Sequence, residues 1–139
     1  MALKATKAEV WAVTIEDRAG GAADKLEALA RGGANLEMLL ARRTEVPGQG
    51  VMFVTPVKGA KAVKAAQEAG FGMPGHIHSV RVEGSDKPGL GSKIARALGN
   101  AGVNFRGVSA VAIGSKFISY IACDSAEDAA KAIAVLKKL

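Results

Sequence analysis

The sequence predicts an α+β fold built as two tandem βαββαβ units, residues 1–75 and 76–139. Three observations predict it. The chain repeats itself at a fixed offset, each copy switches between a strand period and a helix period, and glycine-bearing turns fall at matched places in both copies.

The offset is 69. It pairs Val13 with Val82, Asp17 with Asp86, Gly20 with Gly89, Ala28 with Ala97 and Leu29 with Leu98. It also pairs Gly33 with Gly102, Asn35 with Asn104 and Ala41 with Ala110, with no gap between positions 13 and 41. Alanine and glycine are abundant here, so the Asp17/Asp86 and Asn35/Asn104 pairs carry most weight. Arg18/Lys87 and Leu36/Phe105 are like-for-like. A duplication is expected.

In the first copy Trp11, Val13 and Ile15 alternate with Ala12 and Thr14, the pattern of a half-buried strand. Asp17 to Gly21 turns the chain, and Ala22, Leu26, Leu29 and Ala30 then form one helical stripe. Gly32-Gly33 stops that helix, because glycine tolerates the left-handed conformation found there. Leu36 to Arg43 alone would suit a helix; the repeat and the partner run Val51 to Val54 favour a strand. Pro47 to Gly50 makes the turn between them, and a second helix covers Ala60 to Ala69, ended by Gly70.

The second copy is cleaner. Val80 and Val82 mark a strand, and Pro88 stands where a helix would begin, its fixed φ and missing N–H suiting that place. Leu90, Ile94, Ala97 and Leu98 form the buried stripe, with Gly99 and Gly102 closing the helix. Phe105 to Ile113 and Phe117 to Cys123 read as strands joined around Gly114-Ser115. Ser125 with Asp128 resembles a capping box, and the last helix runs to Lys137-Lys138, where the helix dipole favours cations. One strand is missing from this count. Either His76 to Glu83 serves both units, or Leu3 to Lys7 supplies the absent strand.

Composition bounds the functions. Hydrophobic residues make up 49% of the chain and aromatics 4%, so the core must be aliphatic. A unit of about 70 residues buries little surface alone, which favours packing between units and dimerisation. The net charge of +6 divides as +2 for residues 1–75 and +4 for 76–139, without a basic stripe, so a nucleic-acid surface is disfavoured. The single cysteine, Cys123, excludes an internal disulfide framework and fits a reducing cytoplasm. Met1 to Lys7 does not read as a signal peptide. No stretch approaches the roughly 20 apolar residues that span a bilayer, so a membrane role is not expected.

The turns before the first helix of each copy carry the chemistry. Asp86-Lys87-Pro88-Gly89-Leu90-Gly91 puts small residues at a helix start, where unpaired amides welcome an anion such as an α-carboxylate. Asp86 or nearby carbonyls could take an ammonium. The same kind of turn is also common for geometry alone. Gly102-Val103-Asn104-Phe105 and Gly33-Ala34-Asn35-Leu36 follow at matched positions.

At these residues the sequence resembles the ACT domain family of small-molecule-binding regulatory modules. The shared pattern is a strand, Asp-x-Pro-Gly, an amphipathic helix, and a Gly-Val/Ile-Asn entry to the next strand. Asp86, Pro88, Gly89, Gly102, Val103 and Asn104 match it. The first copy departs from it, with Ala19 for the proline, Gly21 for a bulky residue and Ala34 for a branched one. The resemblance covers residues 10–139. It implies ferredoxin-like units, antiparallel sheets with helices on one face, associating side by side. It further implies an amino-acid ligand at a unit or subunit interface near the first strand–helix turn. Carried onto this chain, the implied ligand residues are Asp86, Lys87, Pro88, Gly89, Leu90, Val103 and Asn104, with Asp17, Gly20 and Asn35 in the first copy. The expectation is a free-standing cytoplasmic regulator, a homodimer that binds an amino acid and acts on a partner enzyme. No catalytic residue, cofactor or metal is expected.

RNA-recognition modules share this strand order, and Phe53, Phe105, Phe117 and Tyr120 lie in strands, but the aromatic run those modules use for base stacking is absent. His76 and His78 would share one face of a strand, yet a metal site needs three or four ligands. His76, His78, Glu83 and Asp86 could gather at one end as an enzyme site, though nothing indicates a reaction. Gly84 to Lys93 falls short of a phosphate-binding loop because Leu90 stands where lysine is needed. Cys123 reads as core.

Overall fold

The computed structural model describes residues 3–139. They form seven strands and four helices: β1 Lys4–Ala8, β2 Trp11–Glu16, α1 Gly21–Arg31, β3 Met38–Arg43, β4 Gln49–Thr55, α2 Ala60–Glu68, β5 His78–Ser85, α3 Leu90–Asn100, β6 Gly107–Ile113, β7 Lys116–Cys123 and α4 Ala126–Leu136. The chain divides into two compact units. One is Glu9–Pro74; the other joins residues 3–8 to Gly75–Leu139.

That division corrects the boundary read from sequence. β1 is the missing strand, and it belongs to the second copy. It pairs antiparallel with β5, from Lys4 opposite Glu83 to Ala8 opposite Ser79. Leu3 and Ala5 enter that unit's core, 6% and 1% exposed, and the Leu3 amide donates to the Leu139 carbonyl at 3.2 Å. Gly84 keeps the contact close: a Cβ there would stand 2.5 Å from Leu3 Cδ2. The four-stranded sheet runs β1-β5-β7-β6, all antiparallel, which is the ferredoxin-like order with the fourth lane filled from the N-terminus.

Alternation makes this sheet two-faced. Along β7, Phe117, Ser119, Ile121 and Cys123 are buried beside Val80 and Val82, under Ile94 and Leu98 of α3 and Ala132 and Leu136 of α4. Ser119 satisfies its buried hydroxyl by donating to the Ser109 carbonyl at 2.8 Å. Ser125 caps α4 as its spacing suggested, accepting from the Asp128 amide at 3.0 Å.

The unit Glu9–Pro74 has the order β2-β4-β3, again antiparallel, with Trp11, Val13, Met52 and Val54 packed under Leu29 and Ala66. Its fourth lane holds only a bridge, in which Ala12 and Gly72 exchange both backbone hydrogen bonds, 2.8 and 3.0 Å. The helices meet closely because Gly32 lacks a side chain; a Cβ there would stand 2.5 Å from Ala65 Cβ.

Candidate ligand-binding site

Both strand–helix turns use one backbone design. The Asp17 amide donates to the Gly48 carbonyl at 3.0 Å, and Asp86 does the same to Ser115 at 2.8 Å. Gly21 donates to Arg18 and Leu90 to Lys87; Asp24 donates to Gly20 and Lys93 to Gly89. Each helix is preceded by a left-handed glycine, Gly20 at φ 88° and Gly89 at φ 84°, and neither start has a side-chain cap. The helix C-termini match too, with Ala34 bonded to Leu29 and Val103 to Leu98. The offset of 69 is therefore a repeat of hydrogen bonds as well as letters.

Asp86, Lys87, Pro88 and Gly89 are exposed, and a Cβ on Gly89 or Gly91 would meet nothing within 4 Å. The turn is open to a ligand. Pro88 lies two residues before the helix rather than at its first position, because Gly89 takes the cap. Leu90 is partly buried against the core.

The remaining candidates separate. Val103 is 4% exposed and its side chain belongs to the core, so it offers a ligand only backbone. Asn104 is exposed but lies past the far end of α3. Eleven helical residues at about 1.5 Å each put roughly 16 Å between it and the Asp86 turn. Asn35 stands likewise past the end of α1, away from Asp17 and Gly20. No single unit gathers the full set.

The sequence did not signal a cavity that the structure shows. It is about 660 Å³, open, and flanks the first-copy turn, between the end of β2, the start of α1 and the 46–49 hairpin. Arg18 sits at its mouth, donating to Glu16 at 2.6 Å and Asp24 at 2.8 Å. These carboxylates, Glu16 foremost, raise its pKa. Lys25 donates to the Ala69 carbonyl at 2.7 Å. Asp17 turns aside to pair with Arg43 at 2.9 Å.

A second charged group lies on the helix-free face of the other unit. Glu83 receives Arg81 at 2.7 Å and Lys116 at 2.9 Å, and Arg81 also reaches the Tyr120 hydroxyl at 3.2 Å. Hydrogen bonds from Arg81 and then Lys116 hold the Glu83 carboxyl down to about 2. A depressed folded-state value means that Glu83 supports the fold fully above its unfolded pKa of 4.5 and loses that support as pH falls toward 2. Urea midpoints measured across that window should fall less steeply for Glu83→Gln than for the unaltered protein; parallel curves would remove this assignment.

The other singled-out residues take bland places. His76 precedes β5 rather than lying in it, so the two histidines do not share a strand face; His78 Nε2 lies 3.2 Å from the Gly75 carbonyl. Among the described residues no group of three His, Cys, Asp or Glu could hold a metal ion. Cys123 is buried, and desolvation, then Asp128 and Asp124, push its thiol pKa up. Phe117 faces the core and Phe105 packs against it. The register leaves Phe53 and Tyr120, one per sheet, on the helix-free faces, short of a base-stacking platform. No described helix is long and apolar enough to cross a membrane.

No protein-family model and no curated protein sequence matches the chain. Solved structures do. A protein from Bacteroides thetaiotaomicron aligns over 97% of this chain and 90% of its own, with TM-score 0.78 and 23% identity. The regulatory subunit of aspartate kinase from Thermus thermophilus aligns over 98% and 97%, with TM-score 0.64 and 19% identity. That from Thermus flavus aligns over 99% and 96%, with TM-score 0.62 and 23% identity. At such identities the likeness establishes the fold, and it agrees with the motif: this chain has a tandem ACT-type fold.

Proposed function

We propose that the protein is a non-catalytic regulator that binds an amino acid, or a ligand of the same chemistry, where an ACT-type unit meets its counterpart in a second copy of the chain. The observation that carries this reading is the open turn Asp86–Gly91, whose helix start has no side-chain cap. The Leu90 amide is spent on Lys87 and that of Lys93 on Gly89, which leaves the amides of Gly91 and Ser92, ahead of the first intrahelical bond and partly positive, to suit a carboxylate.

The separation of Asn104 from that turn supports a shared site. β6 is the sheet edge, and Val108, Val111 and Ile113 on it are 54%, 54% and 67% exposed. A neighbouring edge strand laid antiparallel would bring its own beginning, the Asn35 or Asn104 segment, beside the end of β6. That end abuts the Asp86 turn through Ser115. Ligand and dimer then stabilise each other, which is how binding would pass to a partner enzyme. The regulatory role of the Thermus proteins supports an enzyme partner of this kind, and a cytoplasmic setting fits the single buried thiol.

Calorimetric titration with the protein amino acids, one at a time, tests the reading; binding by none removes it. Gly91→Asp gives the sharper result. The side chain enters open space, and an acid in the first turn stabilises a helix by about 0.3–1 kcal/mol. The variant should melt no lower than the original yet bind the ligand at least about tenfold more weakly, since it repels a carboxylate. Unchanged affinity would move the ligand elsewhere.

A further inference from the structure

We propose that the open lane beside β2 is a separate binding site for a free α-amino acid, held as a zwitterion on the backbone of Thr14. It goes beyond the Asp86 turn and does not depend on it.

Trp11, Val13 and Ile15 lie opposite Val54, Met52 and Gly50 of β4, while Ala12 spends both of its backbone groups on Gly72. Strand alternation therefore aims the N–H and C=O of Thr14 away from β4, into the same lane as Ala12. Gly72 closes one end of that lane. At the other end the Glu16 carbonyl is already taken by the Arg18 amide at 2.9 Å. Between them Ala69 and Gly70 belong to the end of α2, so Thr14, which pairs with Val51 of β4 on one side, has no strand partner on the other among the described residues. The opening is one residue long.

The second unit shows what fits there. Thr14 corresponds to Glu83 at the offset of 69, and Glu83 lies opposite Lys4 of β1. The lane that Lys4 occupies beside Glu83 is empty beside Thr14. A free amino acid in extended form offers the same pair of groups as a strand residue: a carboxylate oxygen to accept from Thr14 N–H, and an ammonium to donate to Thr14 C=O.

Charge fixes its direction. A partner antiparallel to β2, continuing the sense of Gly72, points its carboxylate toward the Gly72 end and its ammonium toward Glu16. Lys25 Nζ stands at the carboxylate end, bonded to Ala69 and 3.9 Å from where a Cβ on Gly70 would be. Glu16 and Asp24, held by Arg18, stand at the ammonium end. At Thr14 and Ala69 the lane opens onto the cavity of about 660 Å³, which also takes in the 46–49 hairpin and is within the usual range for small-molecule sites. A longer peptide would run into Gly72 on one side and the Arg18 bend on the other.

The test is amide chemical-shift mapping on the full chain, titrated singly with the protein amino acids, followed by calorimetry on variants. One amino acid should shift the Thr14 amide saturably, and its N-acetyl and amide derivatives should bind at least about tenfold more weakly. Thr14→Pro removes a donor that the sheet does not use, at an edge where proline is tolerated, and Lys25→Met removes the cation; each should weaken binding at this site about tenfold or more, while Gly91→Asp leaves it unchanged. Shifts confined to residues 86–91 would retain the turn as a site and reject this one. No shift at Thr14 with any amino acid, affinity kept within about twofold in Lys25→Met, or tighter binding of a tripeptide would each overturn the proposal.

Discussion

Gly21→Ala should destabilise the protein by on the order of 3 kcal/mol, the largest effect expected from adding one methyl group anywhere in the first-copy turn. Gly21 is buried at the first position of α1, and a Cβ there would collide with the Glu16 carbonyl oxygen. That atom is backbone and is fixed from two sides, by the Arg18 amide and by the strand that ends at Glu16. Neither can give way without unwinding the turn. The equivalent residue in the other copy is Leu90, so the two turns share hydrogen bonds but not the space above them. A thermal melt should fall by roughly 10 °C. Gly91→Ala is the control: it also exchanges a helical glycine, but into open space, and should gain about 0.5–1 kcal/mol. If Gly21→Ala cost no more than about 0.5 kcal/mol, the tight first-copy turn would be wrong.

A chain beginning at Glu9 should lose the packing of the second copy while the first copy keeps its core. Removing β1 strips five paired residues from β5 and takes Leu3 and Ala5 out of the interior. Loss of one buried leucine alone costs about 2–5 kcal/mol, and here the edge of β5 is bared as well. The molecule contains its own reporters. Its one tryptophan, Trp11, is 7% exposed in the core of Glu9–Pro74, and its one cysteine, Cys123, is fully buried in the other unit. In the shortened chain a thiol reagent should reach Cys123 without denaturant, whereas Trp11 emission should stay that of a buried indole. Ala5→Asp should act in the same direction by burying an unpaired carboxylate. A Cys123 as protected as in the whole chain would refute the assignment of β1 to this unit.

The place of β1 is the part of the fold least legible in the sequence. The elements were legible because their signals are local: alternation at Trp11 to Ile15, a helical stripe from Leu90 to Leu98, and glycines after each helix. Even Leu36 to Arg43, ambiguous alone, resolved as β3 once the repeat supplied a second copy. The destination of Lys4–Ala8 was not local. Its partners are 71 to 79 positions away, and five residues reading Lys-Ala-Thr-Lys-Ala carry no mark of the strand they join. Pro88 misled by one cap, since its own geometry suits a helix start and only the φ of Gly89 moves that start to Leu90.

For the candidate site, the motif located the Asp86 turn, and that turn is exposed and uncapped as a ligand cradle would need. The motif did not foretell that Val103 faces inward, because a three-letter pattern does not say which face of the chain is covered. Nor did it reveal the cavity beside Thr14. That cavity is lined from β2, α1, the 46–49 hairpin and Ala69, segments that no local pattern joins. Lys25 and Thr14, ordinary helix and strand letters, acquire meaning only from where Gly72 stops pairing.

The regulatory reading is tested most directly by sedimentation of the whole chain with and without a bound amino acid. A ligand shared between copies must tighten their association by the factor by which association tightens the ligand. The dimer should therefore strengthen on adding the amino acid, and Gly91→Asp should abolish that response. An association constant that saturating ligand leaves unmoved would contradict the account.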